Sequence, residues 1–169
     1  LPVTSDTQFC IASCTKAMTA ALIAVLVDRG LLDYDVPVRT YIPHFHMKDP
    51  VADEQLTLRD ILCHRSGIGA HDALWPGRAT REELCRRIRY LQPCGGFREQ
   101  ALYSNLMYAM AGYVAEYVTG RPWDELMEEY LFAPLCMKRT NCLAEQITQD
   151  GNHAEPYFIE GGRAVKVPF

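Results

Sequence analysis

A serine and a lysine three positions apart precede the longest apolar run of the sequence. Ser13 and Lys16 stand just before residues 20–27, which carry no polar side chain. Residues at this spacing share one face of a helix, so the lysine nitrogen can reach the serine hydroxyl. A serine hydroxyl needs a base to become a nucleophile, and a lysine held among apolar groups gives up its proton more readily. The pair therefore predicts nucleophilic catalysis by Ser13 with Lys16 as its base.

The spacing alone is weak evidence for this chemistry. About one Ser-x-x-Lys pair is expected by chance in a chain of this length, and an exposed lysine near a helix start is the ordinary alternative. The position favours catalysis, because a lysine at the mouth of a wholly apolar helix is costly without a purpose.

A second group of polar side chains, Tyr103-Ser104-Asn105, stands before another helical pattern. Tyr103 can relay a proton between nucleophile and leaving group, and Asn105 can hydrogen-bond Lys16 and a substrate amide. Taken alone, the triplet is better interpreted as a core tyrosine followed by a helix-capping asparagine.

The elements that must position these residues are mainly helices. Apolar periodicity, capping residues and glycines predict helices over 11–29, 57–63, 81–91, 105–119 and 122–131. Residues 31–50 are predicted to be loop, and 157–159 with 164–167 to form a hairpin around two glycines. Because residues 20–27 are apolar on every side, the first helix needs neighbours on more than one face.

Composition and charge exclude several classes of protein. The chain has 169 residues, of which 49% are hydrophobic and 22% charged, with a net charge of -4. These values are typical of a globular domain and give no electrostatic reason to expect nucleic acid as a partner. No run is long enough for a membrane span, and residues 1–9 lack the basic start of a signal peptide. Cytoplasm and periplasm both remain open as locations.

Seven cysteines cannot all pair within one chain. We expect reduced and mostly buried thiols rather than a disulfide framework. A zinc site is disfavoured because the sequence has no C-x-x-C pair, and no cofactor or other metal is expected.

Several segments in order resemble one family. Residues 9–16, F-C-I-A-S-C-T-K, resemble the F-x-I-A-S-x-T-K motif of class C β-lactamase-like serine hydrolases, which include carboxypeptidases, D-amino-acid peptidases and esterases. Residues 28–43, 56–68 and 120–123 are similar to later family segments, and 103–105 stand at its Y-x-N motif. Residues 132–137 resemble its P-L-G-M stretch, with Cys136 at the usual glycine.

The resemblance implies a fold and a mechanism. The fold would be mainly α here, the helical portion of the α/β (α+β) serine β-lactamase-like transpeptidase fold with most of the sheet missing. Ser13 would form an acyl-enzyme on a β-lactam, a D-amino-acid peptide or a small ester, activated by Lys16 and Tyr103. Asn105 would orient the substrate, and the backbone N–H of Ser13 would supply one oxyanion donor.

One family motif has no counterpart in the sequence. No glycine between 106 and 169 follows a lysine or histidine by two places, so the H-x-G or K-T-G motif is absent. We therefore expect residues 1–169 to form a single partial domain with little or no hydrolysis by itself. We also expect part of the first helix to be uncovered, which would allow a homo-oligomer through exposed apolar surface.

Two other functions remain open from the sequence. One is a non-catalytic, β-lactamase-like binding protein, and the other is a helical interaction module. His64 is interpreted as a structural residue that holds the turn at 66–67, and Trp75 as a packing residue in a loop that could rim the site.

Overall fold

The computed structural model describes residues 2–74 and 79–167, so the prediction for Trp75 lies outside the described residues. Helices α1 to α8 are, in chain order, Thr15–Asp28, Val38–Tyr41, Pro50–Gln55, Leu58–Leu62, Arg81–Ile88, Asn105–Thr119, Trp123–Met127 and Ala144–Gln149. Turns of 3-10 helix span Ala12–Cys14 and Asp72–Leu74, and a π turn, Glu128–Phe132, follows α7. Strands β1 (Tyr157–Glu160) and β2 (Arg163–Lys166) form an antiparallel hairpin in which Tyr157 pairs with Lys166.

Helix α6 is the centre of the fold. It packs against α1, α2, α4, α5 and α7, and its side chains from Leu106 to Ala115 are largely buried. Met110 and Val114, for example, are fully buried between these neighbours. A helix enclosed in this way fixes the relative positions of the others, including α1 with the predicted nucleophile at its start.

Helix α1 is buried on one face. Leu22, Ile23 and Leu26 are fully buried, whereas Ala17 and Ala21 are exposed to solvent. Part of this helix is therefore uncovered, and its exposed residues are Ala17, Ala21 and Asp28.

Several predicted helix ends are confirmed by their caps. Thr57 and Thr80 each close a capping box with the acidic residue three positions later. Gly120 ends α6 with a positive φ of 68°, a conformation that glycine adopts without steric cost.

Three helices were not predicted. Helices α2 and α3 lie in or next to the predicted loop, and α8 lies in the segment interpreted as turns. The start of α3 carried a signal: the Asp49 side chain accepts the backbone N–H groups of Val51 and Ala52, and Pro50 occupies the first helical position. Helices of four to six residues are too short for periodicity to reveal.

The prediction of buried thiols is wrong for most cysteines. All seven are free, but five are exposed, one is half-buried and only Cys85 is buried. The exposed ones, Cys10, Cys14, Cys63, Cys94 and Cys136, lie outside the regular helices, in turns and loops where apolar neighbours do not cover them.

The described chain is thus mainly helical, and the hairpin is the only sheet within residues 2–74 and 79–167. None of the helices in this described part has the length and apolar character needed to cross a bilayer.

Candidate active site

Ser13 lies in the 3-10 turn that leads into α1. The preceding residue, Ala12, has a φ of 43°, so the chain enters this turn through a left-handed residue that is not glycine. The turn leaves the Ser13 side chain exposed, where its Oγ accepts hydrogen bonds from two residues of different elements.

Lys16 joins α1 to α6. Its Nζ donates to Ser13 Oγ at 3.1 Å and to Oδ1 of Asn105, the first residue of α6, at 2.6 Å. The nitrogen also lies 4.7 Å from the ring centre of Tyr103 and 5.6 Å from that of Tyr108, distances typical of cation–π contacts. The lysine head is therefore surrounded by acceptors and aromatic faces.

Tyr103 is the second hydrogen-bond donor to Ser13. Its phenol donates to Ser13 Oγ at 2.7 Å. The side chain is 50% exposed, so a ligand can reach the phenol from solvent. Hydrogen bonding with Lys16, followed by that with Ser13, lowers the pKa of the Tyr103 phenol below its usual value. A phenol with this shift is better prepared to lose its proton near neutral pH.

His64 holds the segment that carries Tyr103. The backbone N–H of Leu102 donates to the His64 carbonyl at 2.8 Å, and that of Ser104 donates to His64 Nδ1 at 3.2 Å. The imidazole also packs on the Tyr103 ring, with 4.6 Å between the ring centres. Burial, with a smaller contribution from Lys16, lowers the pKa of His64, which favours the neutral imidazole that can accept this N–H.

Asp72 contacts Asn105 from a loop. Its Oδ1 accepts a hydrogen bond from Asn105 Nδ2 at 3.1 Å. No signal in the sequence pointed to this residue, because 33 positions separate the pair and no helical spacing connects them. His64 was noted in the sequence, but its contact with Tyr103 depends on the fold of two loops.

Strained backbone surrounds these side chains. Ala12, His64 and His71 all have positive φ values, between 43° and 58°, and none is glycine. Ala12 precedes the serine, His64 supports the tyrosine segment, and His71 precedes Asp72. Non-glycine residues adopt this conformation at a cost, and they are concentrated at functional sites.

A cavity of about 550 Å³ opens beside the serine. Its lining comes from the start of α1, the first turns of α6 and neighbouring segments: Ala12, Ser13, Thr15, Lys16, Thr19, Asp72, Arg81, Asn105, Tyr108, Ala109, Gly112 and Trp123. The volume is suited to a small molecule or a short peptide segment. In the part of the chain that the structure describes, no three His, Cys, Asp or Glu side chains are grouped to hold a metal ion.

The structure brings the four predicted site residues together. Ser13, Lys16, Tyr103 and Asn105 form a continuous set of hydrogen bonds at 2.6–3.1 Å, although up to 92 positions separate them in sequence. An exposed hydroxyl between a lysine nitrogen and a phenol is an arrangement able to support nucleophilic attack.

Comparison with known proteins gives consistent matches. The Beta-lactamase family model matches residues 1–158. The unguisins hydrolase ungD' of Aspergillus campestris is 31% identical over 167 residues, which cover 93% of this chain and 31% of that protein. Penicillin-binding protein 4 of Amycolatopsis lactamdurans is 31% identical over 150 residues, covering 85% of this chain and 38% of that protein.

A solved structure also has a similar fold. The octameric penicillin-binding protein homologue from Pyrococcus abyssi aligns with a TM-score of 0.84 and 29% identity, over 100% of this chain and 41% of that one. The chain thus spans well under half the length of each of these three proteins. Because the family model extends over most of the sequence and includes the whole hydrogen-bonded cluster, the chain belongs to the Beta-lactamase family of hydrolases.

Proposed function

We propose that this protein is a serine hydrolase that forms an acyl-enzyme on Ser13. The observation that carries the proposal is the position of Ser13 Oγ, 2.7 Å from the Tyr103 phenol and 3.1 Å from Lys16 Nζ. An exposed hydroxyl with two proton-handling groups in reach satisfies the geometric requirement for covalent catalysis.

In the proposed mechanism, Tyr103 takes the proton of Ser13. Lys16, as an ammonium, stabilises the tyrosinate by its hydrogen bond, in agreement with the lowered pKa of the phenol. As Ser13 Oγ attacks the substrate carbonyl, its proton passes to Tyr103 and then to the leaving nitrogen or oxygen. Water would later attack the ester by the reverse sequence of proton transfers.

Asn105 and the backbone have supporting roles in this proposal. The Asn105 oxygen accepts from Lys16, and one N–H of its NH₂ group donates to Asp72. The other N–H remains available to a substrate carbonyl. The backbone N–H of Ser13 would be one donor to the oxyanion.

The substrate classes proposed are a β-lactam, a D-amino-acid peptide and a small ester. The named relatives, an unguisins hydrolase and a penicillin-binding protein, support hydrolase chemistry without selecting among these substrates. We also propose that this chain supplies the helical, nucleophile-bearing part of a single domain. Without the third family motif, acylation of Ser13 is a more suitable assay for this chain than turnover.

The direct test is covalent labelling with a fluorescent fluorophosphonate, which phosphonylates activated serines and releases fluoride. We expect one label per chain, located at Ser13 by peptide mass spectrometry, and more than about 100-fold weaker labelling in Ser13→Ala. Ser5→Ala, a change at another exposed serine, is the matched control and is expected to label normally. A wild-type chain that is folded and not labelled would instead favour a binding protein without catalysis.

A further inference from the structure

An exposed carboxylate stands behind the substrate-orienting asparagine. Asp72 begins the 3-10 turn Asp72–Leu74 and lines the same cavity as Ser13. Its Oδ1 accepts from Asn105 Nδ2 at 3.1 Å, while the other end of that amide, Oδ1, accepts from Lys16 Nζ at 2.6 Å. The amide of Asn105 is therefore held between a carboxylate and a lysine nitrogen.

The orientation of the Asn105 amide determines whether its oxygen or its NH₂ group faces Lys16. A primary amide has an accepting end and a donating end of nearly the same shape, so rotation by half a turn exchanges them. An ammonium at Lys16 requires the oxygen, whereas a neutral amine can also accept from the NH₂ group. If Lys16 were the only contact, the NH₂ end of the Asn105 amide would have no fixed partner.

We propose that Asp72 is a positioning residue for this site, and that its carboxylate fixes the Asn105 amide with the oxygen towards Lys16. An ionised carboxylate has acceptors only, so it accepts the NH₂ group and rejects the reversed amide. This inference rests on the proposed function, because it assigns Asp72 to the reaction at Ser13.

Two consequences follow for the chemistry. The fixed oxygen accepts from Lys16 Nζ and so holds that nitrogen beside Ser13 in the proposed mechanism. The second N–H of Asn105 also keeps a constant direction, so a substrate carbonyl meets a donor that needs no rearrangement.

Three substitutions of Asp72 separate the effect of its hydrogen bond from the effect of its charge. In Asp72→Asn the side-chain oxygen can still accept from Asn105 while Lys16 donates to the other end of that amide, so the orientation is kept although the charge is lost. In Asp72→Ala both are lost, and Asp72→Ser provides a second variant whose hydroxyl is too short to reach the amide. Because Asp72 is exposed, none of these changes removes a buried contact, and backbone NMR spectra establish that each variant is folded. Glu54→Ala, at an exposed carboxylate of α3, is the matched control.

The first readout is the side-chain NH₂ resonance pair of Asn105 and its exchange with water. We expect exchange to accelerate by about tenfold in Asp72→Ala and Asp72→Ser, and to stay within about threefold of wild type in Asp72→Asn and Glu54→Ala. Unchanged shifts and exchange in Asp72→Ala would overturn the proposal. This readout does not require an active enzyme, so it decides the inference even if Ser13 is never acylated.

The second readout is the rate of Ser13 labelling by the fluorophosphonate. We expect about tenfold slower labelling in Asp72→Ala and a rate within about threefold of wild type in Asp72→Asn. Equal losses in both variants would mean that the charge acts rather than the hydrogen bond, which contradicts a positioning role. Absence of labelling in the wild-type chain would reject the proposed function and leave the NMR result to judge Asp72.

Discussion

Ser13 Oγ accepts hydrogen bonds from two donors, and these donors differ in how they can act on it. The Tyr103 phenol is the closer, at 2.7 Å, and its pKa is lowered mainly by hydrogen bonding with Lys16. Lys16 donates to both Ser13 and Asn105. In the proposed mechanism the tyrosine is the base, and the lysine lowers the pKa of its phenol.

Replacing the lysine should therefore change the titration of the tyrosine. In Lys16→Met the main cause of the lowered pKa is gone, so the pKa of Tyr103 should rise towards its ordinary value of about 10. Because the deprotonated phenol is the base in the proposed mechanism, the increase of Ser13 labelling with pH should move to higher pH. Ultraviolet difference spectra of tyrosinate formation measure the shift, with Tyr103→Phe to identify the signal. Identical titrations in Lys16→Met and wild type would contradict this assignment.

The residues of this site differ in how far sequence could predict them. Ser13 and Lys16 are close in sequence, so helical spacing alone brought them together. Tyr103 and Asn105 required the family resemblance, since 90 and 89 positions separate them from their partners. Asp72 could not be predicted, because an exposed acid in a loop carries no pattern until the fold brings the loop to α6.

Among the elements, α4 is tied by Asp60 to the loop that leads to Tyr103. The Asp60 carboxylate is 1% exposed and accepts from Thr57, Arg65 and Arg98 at 2.8–3.2 Å. Burial alone would raise the pKa of this carboxyl, but the hydrogen bonds of Arg98 and Thr57 outweigh burial and lower it. The Asp60 cluster thus links the start of a helix to the segment that carries Tyr103.

Substitution of Asp60 should destabilise the protein. Asp60→Asn leaves two arginines without their shared counter-charge, and we expect a loss of about 2 kcal/mol because both arginines are partly solvated. Urea unfolding followed by circular dichroism measures it. Asp35→Asn, which removes an exposed pair with Arg59, is the control and should leave the midpoint nearly unchanged.

The same substitution should alter stability in acid. Since the folded-state pKa of Asp60 is lowered, its contribution is fully present above the unfolded pKa of about 3.9 and is lost as pH falls through the folded value. The Asp60→Asn variant should therefore lose less stability than wild type over this acidic range. An equal loss in both proteins would contradict the proposed role of the cluster.

Elements with strong caps or long periodic patterns were predictable, and short ones were not. Thr57, Thr80 and Gly120 mark helix ends by local chemistry that does not depend on the rest of the fold. Helices α2 and α8 contain four and six residues, and neither is capped by a side chain. Tertiary contacts must define such helices, so their sequences alone give little indication.

For the whole molecule, the important surface is the uncovered face of α1. Its exposed residues are Ala17 and Ala21, which are small and apolar and permit close approach of another chain, and Asp28 at the helix end. We propose self-association through the exposed face of α1.

A charge on this face should prevent the association. Sedimentation velocity at increasing protein concentration is expected to show oligomers for wild type and monomers for Ala21→Glu. The matched change Ala144→Glu, on an exposed position of α8, should associate like wild type. A monomeric wild-type chain at every concentration would refute a homo-oligomeric interface.

Ala12, His64 and His71 have a consequence for the behaviour of the molecule as a whole. Each of these left-handed residues costs about 1–3 kcal/mol, in a fold whose total stability is of the order of ten. We therefore expect heat resistance and the proposed reactivity of Ser13 to be opposed in this protein. Replacing these three residues by glycine should raise the thermal stability of the protein. It should also allow more motion in the segments that position Ser13, Tyr103 and Asp72.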